Sequence, residues 1–213
     1  MSSTLVIIMQ IVVLLFAVVV HEVSHGYVSY LLGDPTAKVH GRLTLNPISH
    51  LDPVMSVILP AFLIFSGSPF VIGGAKPVPI DPRYYKNPKR DLIFVSIAGP
   101  GSNFILAALS ILLLAVSIRL PFINIQNMQG LFLFIKYMII INVVLGVFNL
   151  VPIPPLDGSK IIMAFMPDDV AMKYESISPF GIFIIIGLLF LNFFDLIFRP
   201  VFIFLQYLIN LVT

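Results

Sequence analysis

The sequence predicts an all-α polytopic membrane protein with five or six membrane helices and a small membrane-associated β segment. Three observations carry that expectation. Of 213 residues, 59% are hydrophobic and only 10% charged, with a mean hydropathy of +1.05, whereas soluble domains run at about 45–50% apolar and about 25% charged. Several apolar runs approach or exceed the ~20 residues that cross a bilayer as a helix. Between the early runs lie two polar stretches that read as extended chain. A core of this size could not bury so much apolar surface, whereas a bilayer solvates it.

The formal charge of +2 is small, so the lysines and arginines read as topology signals, and no nucleic-acid partner is expected. Cysteine is absent. That excludes a disulfide framework and any thiolate zinc site.

The first helix is expected from about Thr4 to about Leu32, stopped by Gly33-Asp34-Pro35. It resembles a signal peptide only superficially. No lysine or arginine precedes the run, and Leu5 to Val20 leads straight into His21 rather than into a small-residue cleavage site. Ala37 to Asp52 is polar and extended-looking, with Val39 to Leu45 alternating and Asn46-Pro47 closing it. Val54 to Phe70 is apolar but broken by Pro60, Gly67 and Pro69, and is read as a re-entrant segment or hairpin in preference to a full span. Val71 to Pro82, rich in glycine and proline, is the second extended stretch, and Tyr84 to Arg90 is strongly basic. Long helices follow from Leu92 to Ile118 and from Leu131 to Leu150. The proline-rich connector Val151 to Leu156 leads into Asp157-Gly158. After a polar stretch, Pro167 to Ser178, the apolar tail from Gly181 to Val212 is expected to break near Asp195, Arg199 and Pro200. The whole reads as one domain over 1–213, with a core at about 4–166 and a C-terminal helical hairpin at about 180–213.

Lys38, Arg42, Lys76, Arg83, Lys86, Lys89 and Arg90 all lie between the first helix and the Leu92 helix, while Leu120 to Gly130 carries no basic residue. The positive-inside rule places the Ala37–Arg90 region in the cytoplasm and the N-terminus outside.

The segment that carries chemistry is His21-Glu22-Val23-Ser24-His25. Residues four apart share a helix face, so both imidazoles can address one metal ion. Glu22 lies about 100° round the helix from His21, which leaves its carboxylate free to serve as general base. By composition alone such a pattern arises on the order of once in a thousand such sequences. Ionisable groups in an apolar run also cost about 2.5–3.5 kcal/mol each to insert unless they face a polar interior.

A catalytic zinc needs a third protein ligand and an open position. A third histidine six residues beyond His25 is ruled out, because Leu31 stands there. Asp34, His40, His50 and Asp52 are possible ligands. Asp157 is the better candidate, because the prolines before it forbid regular helix and a carboxylate at membrane depth needs a cation. An aspartate in an interfacial turn remains an equal alternative on these grounds alone.

His21–His25 in a membrane helix, Ala98-Gly99-Pro100-Gly101-Ser102-Asn103, and Asn149 through Asp157-Gly158 together resemble the site-2 protease family of intramembrane zinc metalloproteases. Gly41–Pro47 and Ala75–Pro79 are similar to segments of its short bacterial members, which lack PDZ and CBS domains. The resemblance runs from His21 to about Met166. It implies one Zn2+ per chain held by His21, His25 and Asp157, with Glu22 as general base. It implies that Asn103 binds substrate backbone or the oxyanion; a helix-packing contact aided by Gly99 and Gly101 is the alternative. Asn142 is read as packing, and Asn149 as a substrate-binding residue that supports the site. The extended stretches would present an unwound substrate strand by β-addition. Ser159 follows Gly158 where relatives often carry a second glycine, but the Asp157-Gly158 doublet is intact. The expected activity is hydrolysis of peptide bonds within or near transmembrane segments of membrane proteins, by a multi-pass protein of the bacterial plasma membrane. The competing expectations are an inactive client-binding relative and a membrane zinc transporter.

Overall fold

The computed structural model describes residues 2–58, 62, 65, 73–119 and 128–212. Helix α1 (Ser3–Leu31) begins with the Ser2 hydroxyl accepting from the Leu5 amide. It ends where Gly33, at φ 107°, turns the chain out of the helix. A short helix α2 (Thr36–Val39), a 3-10 turn (Pro47–His50) and a π-turn (Pro53–Ile58) follow. Helix α3 (Pro88–Arg119) and helix α4 (Gln129–Asn149) are the other two long inner elements. After a connector come α5 (Asp157–Met163), α6 (Asp168–Glu175), α7 (Gly181–Phe190) and α8 (Phe193–Val212).

Among the described residues, five segments are long and apolar enough to cross a membrane: Ser3–Leu31, Pro88–Arg119, Gln129–Asn149, Asp168–Phe190 and Phe193–Leu211. The bundle core is made by α1, α3 and α4, which pack on one another. Each turns a narrow stripe inward at helical spacing: Val13, Ala17, His21, His25 and Ser29 on α1; Val95, Gly99, Asn103 and Ala107 on α3; Ile135, Ile139, Asn142 and Gly146 on α4. The stripes are small and polar at one level and apolar elsewhere, while Ile7, Ile11, Phe16, Ile105 and Leu112 point outward. That inversion suits helices solvated by lipid, where association rests on close packing and hydrogen bonds rather than on apolar burial.

Three expectations are adjusted. The small β segment is not formed: among the described residues there is no strand. The backbone groups that would build a ladder are taken by side chains. Arg42 Nη2 donates to the carbonyls of Lys76 (2.6 Å) and Pro77 (3.2 Å), the Val78 amide donates to Glu22 (2.9 Å), and Pro77, Pro79 and Pro82 have no N–H to give. One backbone bond, Lys76 N to His50 O at 2.9 Å, joins the two stretches. The tail breaks slightly before the expected Asp195, and Arg199 and Pro200 lie inside α8. It breaks at Asn192, whose φ of 53° is the left-handed conformation that asparagine tolerates. The Leu92 helix starts a turn early, at Pro88, because Asp91 Oδ2 accepts from the Asn87 amide at 3.0 Å and caps it. Most of Val54–Phe70 and of Leu120–Gly130 lies outside the described residues.

A buried hub joins the end of α1 to the approach to α3. Asp34 accepts hydrogen bonds from Ser29 Oγ (2.7 Å), the Thr36 amide (2.9 Å), the Thr36 hydroxyl and the Asp81 amide (2.8 Å). Burial by itself would raise its carboxyl pKa, but these donors hold it below the usual carboxylate range. Tyr85 completes the hub, 2.6 Å from Ser29 Oγ. Burial pushes its hydroxyl up to about 12, so it stays protonated and can donate.

Candidate metal centre

His21 and His25 project from the inner face of α1, about 9–15 Å from its C-terminal end at 1.5 Å per residue. Their Nε2 atoms are 3.0 Å apart, and each is 3.1 Å from Asp157 Oδ2. All three residues are buried, and they form a His-His-carboxylate group whose ligand atoms lie within 4.8 Å of one another. On a tetrahedral zinc with bonds of about 2.0–2.1 Å, ligand atoms stand about 3.3 Å apart. The observed spacing is close to that.

The other ring nitrogens show why a cation belongs between them. His25 Nδ1 lies 2.6 Å from the Val95 carbonyl, which can only accept, so Nδ1 carries the proton. His21 Nδ1 lies 2.6 Å from Asn103 Oδ1. The Asn103 amide group is oriented by donating to the Ala17 carbonyl (3.2 Å) and to Asn142 Oδ1 (2.9 Å), and Asn142 is oriented in turn by donating to the Met138 carbonyl (2.8 Å). Both Nε2 atoms therefore present lone pairs to each other and to a carboxylate. Such second partners fix ring orientation and tautomer in metal sites.

Asp157 reaches this point because α4 ends at Asn149 and the Val151–Leu156 connector returns the chain to begin α5. Gly158 is required there, since a Cβ on it would stand 2.2 Å from the Leu150 carbonyl oxygen. Lys160 Nζ sits 3.5 Å from the other oxygen, Asp157 Oδ1. Gly99 of α3 forms the wall behind the imidazoles; a Cβ there would fill the space in which their Nε2 atoms meet.

Glu22 is half-buried beside this group, with Oε2 accepting from the Val78 amide at 2.9 Å. Asn103, which the resemblance assigns to substrate, is fully buried with both ends of its carboxamide engaged inside the protein. Asn149 is half-buried and donates to the Leu145 carbonyl of its own helix at 3.0 Å. The other possible ligands do not join the cluster. Asp34 is the hub described above, His50 Nε2 donates to the Thr44 carbonyl (2.8 Å), exposed His40 donates to the Thr36 carbonyl (2.9 Å), and Asp52 accepts from the Val54 amide (2.9 Å). Sequence reasoning missed the Val95 carbonyl and the Val78 amide, since backbone groups leave no mark in residue type. It favoured packing for Asn142, and did not foresee its bond to Asn103; a polar residue on an apolar helix face was the available signal.

Comparison with known proteins bears on this centre. The profile of Peptidase family M50 matches residues 116–192. The chain is 39% identical over 183 residues to the Bacillus subtilis protein named "Putative zinc metalloprotease YwhC", covering 85% of this chain and 80% of that one. Two proteins named "Putative zinc metalloprotease Rip2" also match: that of Mycolicibacterium smegmatis at 29% identity over 82% of this chain, and that of Mycobacterium tuberculosis at 34% over 72%. The chain spans 64% and 55% of the length of those two. No solved structure matches significantly. With a relative this similar over most of both chains, and a His-His-Asp group inside its helices, the protein belongs to peptidase family M50, the site-2 protease family of zinc metalloproteases.

Proposed function

We propose that the protein is an intramembrane zinc endopeptidase that hydrolyses peptide bonds within or near transmembrane segments of other membrane proteins, in a bacterial plasma membrane. The observation that carries this is the convergence of His21 Nε2, His25 Nε2 and Asp157 Oδ2 inside a bundle of membrane-length helices, with Glu22 next in sequence to a ligand. His21, His25 and Asp157 would hold one zinc ion and leave a position open. Bound there, zinc would supply Lewis-acid activation of water and of the scissile carbonyl.

The chain's own groups do the rest. Asn103 and the Val95 carbonyl hold the two imidazoles in the tautomer that offers Nε2. Glu22 accepts the proton of the attacking water and returns it to the leaving amine nitrogen. A helical substrate hides its carbonyls in i to i−4 bonds, so it must unwind locally to be cut. In this reading Asn149, which closes α4, would meet that unwound chain. The basic loops between α1 and α3 face the cytoplasm in this reading. A transporter would need several ligand clusters along its path, and the described residues contain one.

The test is Glu22→Gln in purified, zinc-loaded protein. Cleavage of a transmembrane peptide should fall by ~10²–10⁴-fold, with zinc content unchanged. Cleavage at the wild-type rate would remove Glu22 as the base.

A further inference from the structure

The segment 75–81 is extended, makes no strand ladder, and yet is held at three places. At one end the Lys76 amide donates to the His50 carbonyl (2.9 Å) and Arg42, itself buried, clasps the Lys76 and Pro77 carbonyls. At the other end the Asp81 amide donates to Asp34 Oδ2 (2.8 Å). Between these anchors the Val78 amide donates to Glu22 Oε2 at 2.9 Å. Pro77 and Pro79 flank Val78, so no neighbouring amide can substitute for it as donor. The Val78 side chain is buried against Gly26, one turn beyond Glu22 on α1, which sets the register of the contact.

We propose that the Val78 backbone amide is a positioning donor for the general base, and that Arg42 is the clamp that keeps it in place. This rests on Glu22 acting as base. A glutamate has three rotatable side-chain bonds and two equivalent oxygens. Tying Oε2 to an amide on an anchored, proline-stiffened segment leaves Oε1 as the oxygen that faces the attacking water, in one orientation. A misplacement of about 1 Å can cost ~10²-fold in rate, so an unanchored carboxylate at this site would be a poor base even with the metal in place. The segment therefore belongs to the catalytic apparatus through its hold on Glu22.

The experiment uses the full chain, zinc-loaded, in detergent micelles. Val78→Pro removes the N–H, while Val78→Ala keeps it and trims the side chain. With a fluorogenic transmembrane peptide, kcat should fall ~10²-fold further in V78P than in V78A, with KM and zinc content the same in the two. A second readout is independent of activity. Glu22 and Glu175 are the only glutamates, so 13C-carboxyl labelling of glutamate yields two signals, and the one lost in Glu22→Gln is Glu22. That signal should move in V78P and stay near its wild-type position in V78A. If V78P does not fold, an amide-to-ester replacement at residue 78 removes the same N–H with the side chain intact.

An unmoved Glu22 signal, or equal kcat in V78P and V78A, overturns the proposal. So does a rise in kcat in V78P, which would make the segment an obstruction. If Glu22→Gln cuts as fast as wild type, the protease reading of Glu22 fails instead, and the labelled signal still decides whether Val78 holds the carboxylate.

Discussion

Gly99 and His25 come so close that a side chain between them is impossible: a Cβ on Gly99 would stand 2.3 Å from His25 Nε2, and 2.6 Å from His21 Nε2. Helix α3 thus offers bare backbone to the two imidazoles of α1. The Gly99→Ala variant should keep its helices, by circular dichroism, and lose bound zinc and peptide cleavage together. Stoichiometric zinc in that variant would mean the ring positions are not set by this contact.

Asn103 grips His21 Nδ1 from behind at 2.6 Å. Its replacement by Ala should weaken zinc binding ~10–100-fold, the usual cost of losing such a partner, as read by competition with a chromogenic chelator. A residue acting on substrate alone would leave that affinity untouched and raise KM instead.

Among the described residues, Asp157 supplies the carboxylate oxygen of the cluster. Asp157→Ala should leave zinc well below one per chain after dialysis, measured by atomic emission. Chelating the metal from wild type should likewise lower its melting temperature, because a ligand that binds only the folded state stabilises it. Full zinc retention by Asp157→Ala would exclude Asp157 as a ligand.

Asp34 gives a pH-dependent test away from the metal. Its folded carboxyl pKa is depressed because donors outweigh burial. A depressed acid contributes stability that is complete above its unfolded pKa, about 3.9, and is lost as pH falls through the lower folded value. The wild-type melting temperature should therefore decline below about pH 4, while Asp34→Asn starts about 2 kcal/mol less stable and declines less over the same range. Parallel pH profiles for the two proteins would show that Asp34 does not carry this dependence.

The local features were legible in the sequence, and they were local for a reason. Helix α1 and its Gly33 stop could be read from an apolar run and one glycine. The pairing of His21 with His25 needs only the helical repeat. The C-terminal hairpin was visible as apolar runs with a break near Asp195, but its exact place at Asn192 was not, since the charges of Asp195 and Arg199 and the ring of Pro200 were the louder signal. The alternation of Val39 to Leu45 suggested a strand. Whether a strand pairs depends on which groups reach the backbone of its partner first, and here the side chains of Arg42 and Glu22 took that of Lys76, Pro77 and Val78.

By itself the sequence determined a membrane protein, a His-Glu-x-x-His helix within it, and, through resemblance, Asp157 as the carboxylate to expect. Only the tertiary structure decided that Asn103, Gly99 and the Val95 carbonyl close on the imidazoles, that Asn142 steadies Asn103, and that Val78 reaches Glu22. The physical reason is range. Spacing along one helix follows from 3.6 residues per turn, whereas contacts across 39 to 136 residues depend on how α1, α3 and α4 rotate and pack, which their residues decide jointly.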